Sequence, residues 1–217
     1  MSGIAAAERA EVAAACRELA AAGLLIGTAG NVSVRAGELV AVTATGTVLG
    51  EMTAEEVTVV DPDGTVVSGR LAPTSELELH LGVYREFPVG AIVHTHAPHS
   101  IAVGLVCDEL PVIHYQQLPL GGATPVVPFF PFGTPELAAA VRDSLVDRSA
   151  ALLSNHGAVT VGATLRQAVE HTELLEWACG IYLDAHAIGT PRALSAAQQD
   201  AVRAVIARTA YGTTKPV

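Results

Sequence analysis

Three histidines fall within six positions of an otherwise apolar stretch, "AIVHTHAPHS" at residues 91–100. His94 and His96 are two residues apart, so on a β-strand their side chains project to the same side and can bind one metal ion. Two histidines that are simply hydrogen-bonded would show the same spacing, so the pair alone leaves both interpretations open. His99 is predicted to lie in the next helix, where a packing or interface role is favoured over a role in the site.

Two further candidate ligands lie at the ends of other predicted elements. His156, in "LLSNHGAV", follows a buried strand and precedes a glycine turn, and Glu76, in "PTSELELH", lies in the first turn of a predicted helix. Three imidazoles and one carboxylate form a ligand set that suits zinc. Taken separately, His156 could be a hydrogen-bonded turn residue, and Glu76 could be favoured by the helix dipole alone.

Three short segments of small and polar residues could bind a phosphate. They are "GTAGN" at 27–31, "TATGT" at 43–47 and "PTSE" at 73–76. The last begins a helix, where free N–H groups form a ready anion site. Each segment alone is common turn chemistry, but three of them in a chain with 12 Lys and Arg indicate a phosphate bound by neutral donors.

The elements that must position these residues follow from hydrophobic periodicity and from capping signals. We expect strands at "NVSVR", "LVAVT", "GAIVHTH", "AALLSNHG", residues 112–116 and residues 124–128, with a hairpin over 57–69. Helices are predicted at 4–22, after a Thr53/Glu56 capping box, from Thr74 or Ser75 to Arg85, and after Pro98, Thr134, Thr164 and Ser195. Intermixed helices and strands with an early hairpin predict an α/β layered domain with a mixed or mainly antiparallel sheet.

Composition excludes several classes of protein. The chain has 217 residues, which favours one domain, and a net charge of −10, which is the reverse of a nucleic-acid binder's balance. Its long uncharged stretches contain prolines and are not membrane helices, and the charged first residues do not resemble a signal peptide, so we expect a cytoplasmic protein. The three widely spaced cysteines, Cys16, Cys107 and Cys179, are expected to be buried small hydrophobes.

Taken in order, the motifs resemble those of a known family. The segments "GTAGNVSVR", "TATGT", "PTSELELH", "AIVHTHAPHS", "IHY", "FGT", "LLSNHGAV" and "YGT" occur as they do in class II (zinc-dependent) aldolases that act on ketose 1-phosphates. The resemblance covers residues 23–211 and is strongest to the branch that acts on L-fuculose 1-phosphate. It implies one domain over residues 1–217, with a central, mostly antiparallel sheet flanked by helices. It also implies a homotetramer with active sites at the subunit interfaces.

The resemblance also implies roles for individual residues. One zinc ion per subunit is expected on Glu76, His94, His96 and His156, with Glu76 also as the catalytic carboxylate. Phosphate-binding positions are Gly30, Asn31, Thr45, Gly46, Thr74 and Ser75. Tyr115 matches a proton donor that reaches a neighbouring subunit's site, and Tyr211 matches a tyrosine near the aldehyde pocket. The segment between "IHY" and "FGT" departs from the family pattern, which leaves the aldehyde preference open.

The implied activity is reversible cleavage of a ketose 1-phosphate to dihydroxyacetone phosphate and an aldehyde such as L-lactaldehyde. Two other activities of similar proteins stay open: 4-epimerisation of L-ribulose 5-phosphate and dehydration of methylthioribulose 1-phosphate. Glu76 favours the aldolase, because the epimerase branch typically has aspartate at this position. A non-enzymatic alternative is an adducin-like binding module, which would be expected to lack the metal ligands.

Other aromatic residues and histidines receive structural interpretations from the sequence. Phe129, Phe130 and Phe132 are expected to serve packing or subunit contact. His80 and the remaining helical histidines are expected at the surface or in packing. Asn155 either orients His156 through a hydrogen bond or simply forms a turn.

Overall fold

One mixed sheet forms the centre of the computed structural model, which describes residues 3–209. In chain order its strands are β1 (Asn31–Ala36), β2 (Leu39–Thr43), β3 (Val57–Val60), β4 (Val66–Ser68), β5 (Ala91–Thr95), β6 (Glu109–Leu110), β7 (Thr124–Val127), β8 (Ala150–Leu153) and β9 (Gly157–Gly162). They lie in the order β4-β3-β2-β1-β5-β9-β8-β7-β6. Only β7 and β8 pair in parallel, and the other neighbours are antiparallel.

Helices cover both faces of the sheet. They are α1 (Ala6–Ala21), α2 (Leu77–Glu86), α3 (Pro98–Gly104), α4 (Pro135–Ser144), α5 (Leu165–Ile188) and α6 (Ala196–Thr209), with short 3-10 helices at Leu49–Glu51, Ala54–Glu56 and Tyr115–Leu120. Several begin at the predicted caps: the Thr53/Glu56 capping box is present, and Thr134 and Thr164 accept backbone N–H bonds. These local signals act over three or four residues, so they can be identified without tertiary information.

Alternation along β5 assigns each face to a different set of helices. Val93 packs in a core with residues of α1 and α5, whereas Ile92 packs in a core with residues of α2 and α4. Side chains two residues apart lie on the same face of a strand. His94 therefore shares the face of Ile92 and points towards the α2 side of the sheet.

A third apolar cluster joins the far part of the sheet to α3 and the second half of α5. It contains Leu152 of β8, Val103 of α3, and Leu175 and Cys179 of α5. Two layers of helices thus enclose the sheet, which confirms the predicted α/β fold with a mostly antiparallel sheet. Within residues 3–209, no helix is both long enough and apolar enough to cross a bilayer.

The strand predicted at residues 112–116 is wrong. Its place is taken by a loop and the 3-10 helix that begins at Tyr115. The side chain of Gln117 accepts hydrogen bonds from the backbone N–H groups of Ile113 and His114, both at 2.9 Å. These side-chain bonds occupy the donors that a strand ladder would need.

The predicted start of α2 is also displaced. Thr74 is held by the end of β2, because its N–H donates to the carbonyl of Thr43 at 2.9 Å. Glu76 is the N-cap residue, and the helix begins at Leu77. Glu76 therefore lies at the junction between loop and helix rather than inside the first turn, and its side chain can reach the sheet.

Candidate active site

Three imidazole rings converge at one end of the sheet. His94 lies in β5, His96 follows directly after that strand, and His156 lies in the turn between β8 and β9. One nitrogen from each ring lies within 4.8 Å of the other two. Nε2 of His96 is 3.1 Å from Nε2 of His94. Three histidines from two separate parts of the chain therefore face one small volume.

A hydrogen bond at the back of His94 determines which of its nitrogens faces the other rings. Nδ1 lies 2.9 Å from the carbonyl oxygen of Ala158. Since a carbonyl oxygen only accepts, Nδ1 carries a proton, and Nε2 is the nitrogen that faces the other rings. A backbone carbonyl that orients an imidazole in this way is usual behind a metal-binding histidine.

Glu76 reaches the same volume from the N-cap of α2. Its Oε2 is 3.2 Å from Nε2 of His94 and accepts a 2.9 Å hydrogen bond from Nδ2 of Asn31. Its Oε1 lies 3.7 Å from Nε2 of His156 and is buried with no hydrogen-bond partner among residues 3–209. A buried carboxylate oxygen without a donor is costly unless a further group completes it. The unpartnered oxygen indicates that Glu76 and the three histidines bind a further group.

Opposing effects act on the pKa of Glu76. Burial raises it, but the charge and hydrogen bond of His94, the hydrogen bond from Asn31 and the charge of His156 together lower the pKa well below the usual carboxyl range. Burial, followed by the nearby His94, lowers the pKa values of His96 and His156 to about 4. At neutral pH the site thus combines the Glu76 carboxylate with neutral imidazoles at His96 and His156.

These groups fit a divalent metal ion. Imidazole nitrogens and a carboxylate oxygen are ligands that zinc and similar metals accept. A cation would also supply the missing partner of Oε1 on Glu76. The structure therefore contains a histidine triad that could bind a metal, with a carboxylate beside it.

A cavity of about 630 Å³ opens beside the triad. Its wall includes all six residues predicted to bind phosphate: Gly30, Asn31, Thr45, Gly46, Thr74 and Ser75. Glu76, His96 and His156 line it too, and its described lining residues include no lysine or arginine. An anion in this cavity would be bound by hydroxyl, amide and backbone N–H groups, which can form anion-binding concavities without a cationic side chain.

Gly30 allows the loop before β1 to approach the triad. Its φ is +98°, and a Cβ at this position would lie 2.7 Å from the carbonyl oxygen of His94 and 2.5 Å from the Leu25 side chain. Only glycine fits such a contact without a shift of the backbone. The close approach places the loop around Gly30 against β5, next to His94.

Aromatic side chains form another part of the cavity wall. Phe129, Phe130 and Phe132 all line the cavity, and Phe129 and Phe132 are 61% and 70% exposed. Gly133 brings their segment close to the loop that is predicted to bind phosphate, because a Cβ there would lie 2.8 Å from the carbonyl oxygen of Ser75. The interpretation of these phenylalanines as packing or subunit contacts missed their position at the cavity.

Other predicted site residues lie elsewhere. Tyr115 begins a 3-10 helix, stacks against His114 with ring centroids 4.6 Å apart, and does not line the cavity within its own subunit. His99 pairs with Glu176 instead, in agreement with a role outside the site. Tyr211 lies outside the described residues.

His80 is buried, in agreement with the expected packing role, but the sequence did not reveal its contact with the candidate site. The side chain is fully buried, and its Nε2 lies 2.5 Å from Oδ1 of Asn31, the residue that contacts Glu76. The available signal was helical spacing, because His80 follows Glu76 by four residues at the start of a helix. Asn155 lines the cavity with a φ of +58°, so its backbone adopts a turn conformation that asparagine tolerates.

Comparison with known proteins places most of the chain in one family. Residues 10–183 match the family described as Class II Aldolase and Adducin N-terminal domain. The 5-deoxy-D-ribulose 1-phosphate aldolase of Bacillus thuringiensis serovar kurstaki is 35% identical over 190 residues, covering 86% of this chain and 89% of the relative. The L-fuculose phosphate aldolase of Escherichia coli K12 is 36% identical over 178 residues, covering 81% and 82% respectively.

Solved structures agree with these sequence relatives. An L-fuculose 1-phosphate aldolase superimposes with a TM-score of 0.88 at 29% identity, over 93% of this chain and 96% of the other. The sheet order and the flanking helices described above are therefore those of an established fold.

Proposed function

Because the chain belongs to the family of class II aldolase and adducin N-terminal domains, we propose that it catalyses the zinc-dependent, reversible aldol cleavage of a ketose 1-phosphate. The products are dihydroxyacetone phosphate and an aldehyde. The leading substrate is L-fuculose 1-phosphate, which would give L-lactaldehyde. This choice is supported by relatives that carry out such reactions and by the motifs along residues 23–211.

The observation that carries the proposal is the convergence of Glu76 on the histidine triad, with one of its oxygens buried and lacking a partner. A binding module without catalysis has no need for this arrangement, which is costly to bury. Glu76 lies on the wall of a cavity lined with neutral anion donors, which supports a role as a base beside a bound phosphate. These features together favour the aldolase over the adducin-like module.

His94, His96, His156 and Glu76 would hold one zinc ion in each subunit. When bound, the ion would act as a Lewis acid that stabilises negative charge beside the ketone carbonyl. Three neutral imidazoles would leave most of the ion's positive charge uncompensated, which would help a protein of net charge −10 to bind an anionic substrate.

Glu76 acts as the base in the synthetic direction, where it removes a proton from the hydroxymethyl carbon of dihydroxyacetone phosphate, and it returns that proton during cleavage. Contact with His94 lowers its pKa, whereas burial raises it. A carboxylate that moved away from His94 while staying buried would therefore become a stronger base. The long side chain of glutamate allows such a movement from the N-cap of α2.

The phosphate group would lie against the backbone and side chains of Gly30, Asn31, Thr45, Gly46, Thr74 and Ser75, which all line the cavity. Thr74 and Ser75 precede α2, so they offer hydroxyls and free N–H groups near a helix start. Binding the phosphate at a fixed place would position the reacting carbons next to Glu76.

A second subunit would complete the site. We propose that Tyr115 protonates the alkoxide formed from the aldehyde of a neighbouring subunit's reaction, within a homotetramer whose chains each form one domain over residues 1–217. Its exposure of 36% leaves part of the side chain accessible for such a contact. Tyr211 would border the aldehyde pocket.

A second candidate substrate is 5-deoxyribulose 1-phosphate. It shares the phosphorylated half with L-fuculose 1-phosphate and also ends in a methyl group, but it is one carbon shorter. The apolar wall formed by Phe129, Phe130 and Phe132 suits such a methyl end in either sugar. A relative of similar identity bears the name of this reaction.

The test is incubation of the zinc-loaded protein with each of four substrates, followed by product identification. They are L-fuculose 1-phosphate, 5-deoxyribulose 1-phosphate, L-ribulose 5-phosphate and methylthioribulose 1-phosphate. Dihydroxyacetone phosphate with lactaldehyde or with a two-carbon aldehyde would support the aldolase and identify its substrate. Epimerised pentulose phosphate, a dehydrated product, or no reaction with any of the four would contradict it.

A further inference from the structure

A chain of buried hydrogen bonds connects Glu76 to the interior of α2. Tyr84 OH lies 2.8 Å from Oγ of Ser33, which lies 2.7 Å from Nδ1 of His80. Nε2 of His80 is 2.5 Å from Oδ1 of Asn31, whose Nδ2 is 2.9 Å from Oε2 of Glu76. We refer to these five residues as the Tyr84–Glu76 chain. It links the candidate base to four side chains that lie behind it.

The chemistry of the acceptors gives the chain a single direction. The Glu76 carboxylate only accepts, so the amide nitrogen of Asn31 must face it, and the amide oxygen must face His80. That oxygen also only accepts, so Nε2 of His80 carries the proton and Nδ1 accepts from the Ser33 hydroxyl. The Tyr84 hydroxyl then donates to Ser33, so each of the four hydrogen bonds in the chain joins one donor to one acceptor.

The members of the chain are shielded from water. Ser33 and His80 are fully buried, and Asn31 and Tyr84 are 3% and 5% exposed. Burial lowers the pKa of His80 to about 3, with a further contribution from His94. The ring is therefore neutral near pH 7, as the Nδ1 acceptor requires.

We propose that His80 is a positioning residue for the reaction: through the amide of Asn31, it fixes the orientation of the Glu76 carboxylate. This inference rests on the proposed function, because it assigns His80 to the proton transfer that Glu76 carries out. The two ends of an asparagine amide have nearly the same shape, so its orientation depends on its partners. Glu76 accepts from one end of this amide, and His80 supplies the donor that holds the other end.

The effect of losing the His80 donor follows from the donors and acceptors of the same chain of hydrogen bonds. Without the Nε2–H of His80, the buried Oδ1 of Asn31 has lost its donor, and the amide can shift towards another one. Such a shift would weaken or break the 2.9 Å hydrogen bond from Nδ2 of Asn31 to Oε2 of Glu76. A displacement of a catalytic group by about 1 Å can cost on the order of 100-fold in rate.

Hydrogen–deuterium exchange of dihydroxyacetone phosphate in D₂O, followed by NMR, tests the proposal without any aldehyde. The zinc-loaded His80→Leu variant should exchange about 10–100-fold more slowly than the wild type. His80→Gln should recover most of the rate, because its amide can donate to Asn31. The matched control is His171→Leu, which removes another buried histidine, one that bonds to the carbonyl of Val161 and does not line the cavity. Its exchange rate should match the wild type.

A double-mutant cycle separates positioning from general damage to the fold. Since His80 acts through Asn31, His80→Leu should cost little further rate in an Asn31→Ala background. A crystal structure of metal-free His80→Leu should show the Asn31 amide or the Glu76 carboxylate displaced. This readout does not depend on catalysis.

The outcomes distinguish the two proposals. If the wild type does not exchange the proton, the proposed aldolase function fails and the role of His80 fails with it. If the wild type exchanges and His80→Leu is equally fast, only the positioning role is overturned. The same conclusion follows if His80→Gln is as slow as His80→Leu, if the loss is undiminished in the Asn31→Ala background, or if the crystal structure shows neither side chain displaced.

Discussion

The protein buries two glutamates beside histidines, and the two sites differ in how completely each carboxylate is bonded. Glu76 is 5% exposed and Glu176 is 8% exposed. Oε1 of Glu176 accepts from the backbone N–H of His99 at 2.8 Å and lies 2.9 Å from its Nδ1. Oε2 accepts from the N–H and the hydroxyl of Ser100, at 2.8 and 2.7 Å. In contrast, Oε1 of Glu76 has no such partner among residues 3–209.

This difference separates a carboxylate with a structural role from the one that we propose as the base. Glu176 joins α5 to the start of α3 and has no bonding capacity left for a ligand, and its partner His99 has a side chain that is 56% exposed. Glu76 is held on one oxygen only, beside a fully buried His94 and at the edge of a cavity. Residue type and burial are nearly the same at the two sites, so the unsatisfied oxygen is what identifies the site of chemistry.

The largest effect is expected from Glu76→Gln. The amide cannot accept the substrate proton, so kcat should fall by about 10²–10⁴-fold. The three imidazoles remain, so the zinc content should stay near that of the wild type. Steady-state kinetics together with metal analysis would check both. Full turnover in this variant would remove Glu76 from the mechanism, and the two glutamates would then not differ in a catalytic role.

At the other carboxylate, Glu176→Ala should affect stability rather than chemistry. It leaves the N–H groups of His99 and Ser100 and the hydroxyl of Ser100 without their acceptor. The free energy of unfolding should fall by about 3 kcal/mol, equivalent to a decrease in Tm of roughly 6–12 °C for a chain of this size. Calorimetry would measure it, with Glu173→Ala on the exposed face of α5 as the control. Lost turnover at unchanged stability would contradict the structural role.

The sequence predicts those parts of the molecule that depend on neighbours along the chain. The spacing of His94 and His96, the Thr53/Glu56 capping box and the helix caps at Thr134 and Thr164 all depend on interactions within a few residues. The α/β class follows from the mixture of these elements. Strand β9 shows the limit: every residue of "GAVTVG" is buried, so the alternation that identifies a half-exposed strand is absent.

Long-range contacts account for the rest of what the sequence could not reveal. Asn31 contacts Glu76 and His80 because β1 pairs with β5 in a register that places Asn31 opposite His94. No local pattern specifies this register before the sheet forms. The position of Phe132 on the cavity wall likewise depends on the close packing of Gly133 against Ser75. Polar residues whose partners are remote in sequence are therefore assigned to packing until their neighbours are known.

Zinc binding provides a third test of the difference between the Glu76 and Glu176 sites. Zinc at about 100 times its Kd should stabilise the metal-free protein by about 2.7 kcal/mol, which raises Tm by roughly 5–11 °C. His94→Ala should lose this shift, because it removes a ligand from the triad. His99→Ala should keep it, because that histidine serves the saturated carboxylate. A zinc-dependent shift that survives in His94→Ala, measured by thermal unfolding, would place the metal elsewhere.

The effect that is smallest close to neutral pH is the pH dependence of stability in the metal-free protein. Burial lowers the pKa of His80 to about 3 from 6.5, so below pH 6.5 the unfolded chain binds a proton at His80 that the folded protein does not. Stability then falls as the pH decreases from 6.5 towards 3, by about 1.4 kcal/mol per pH unit for this one proton. In His80→Leu the slope of the unfolding free energy against pH should be shallower by that amount. The control is His99→Ala, which removes an exposed histidine beside Glu176 and should keep the contribution of His80 to the slope. Urea unfolding at a series of pH values measures these slopes. Equal slopes in the wild type and His80→Leu would mean that His80 is not held neutral behind Glu76, and that the two carboxylates differ only in their direct partners.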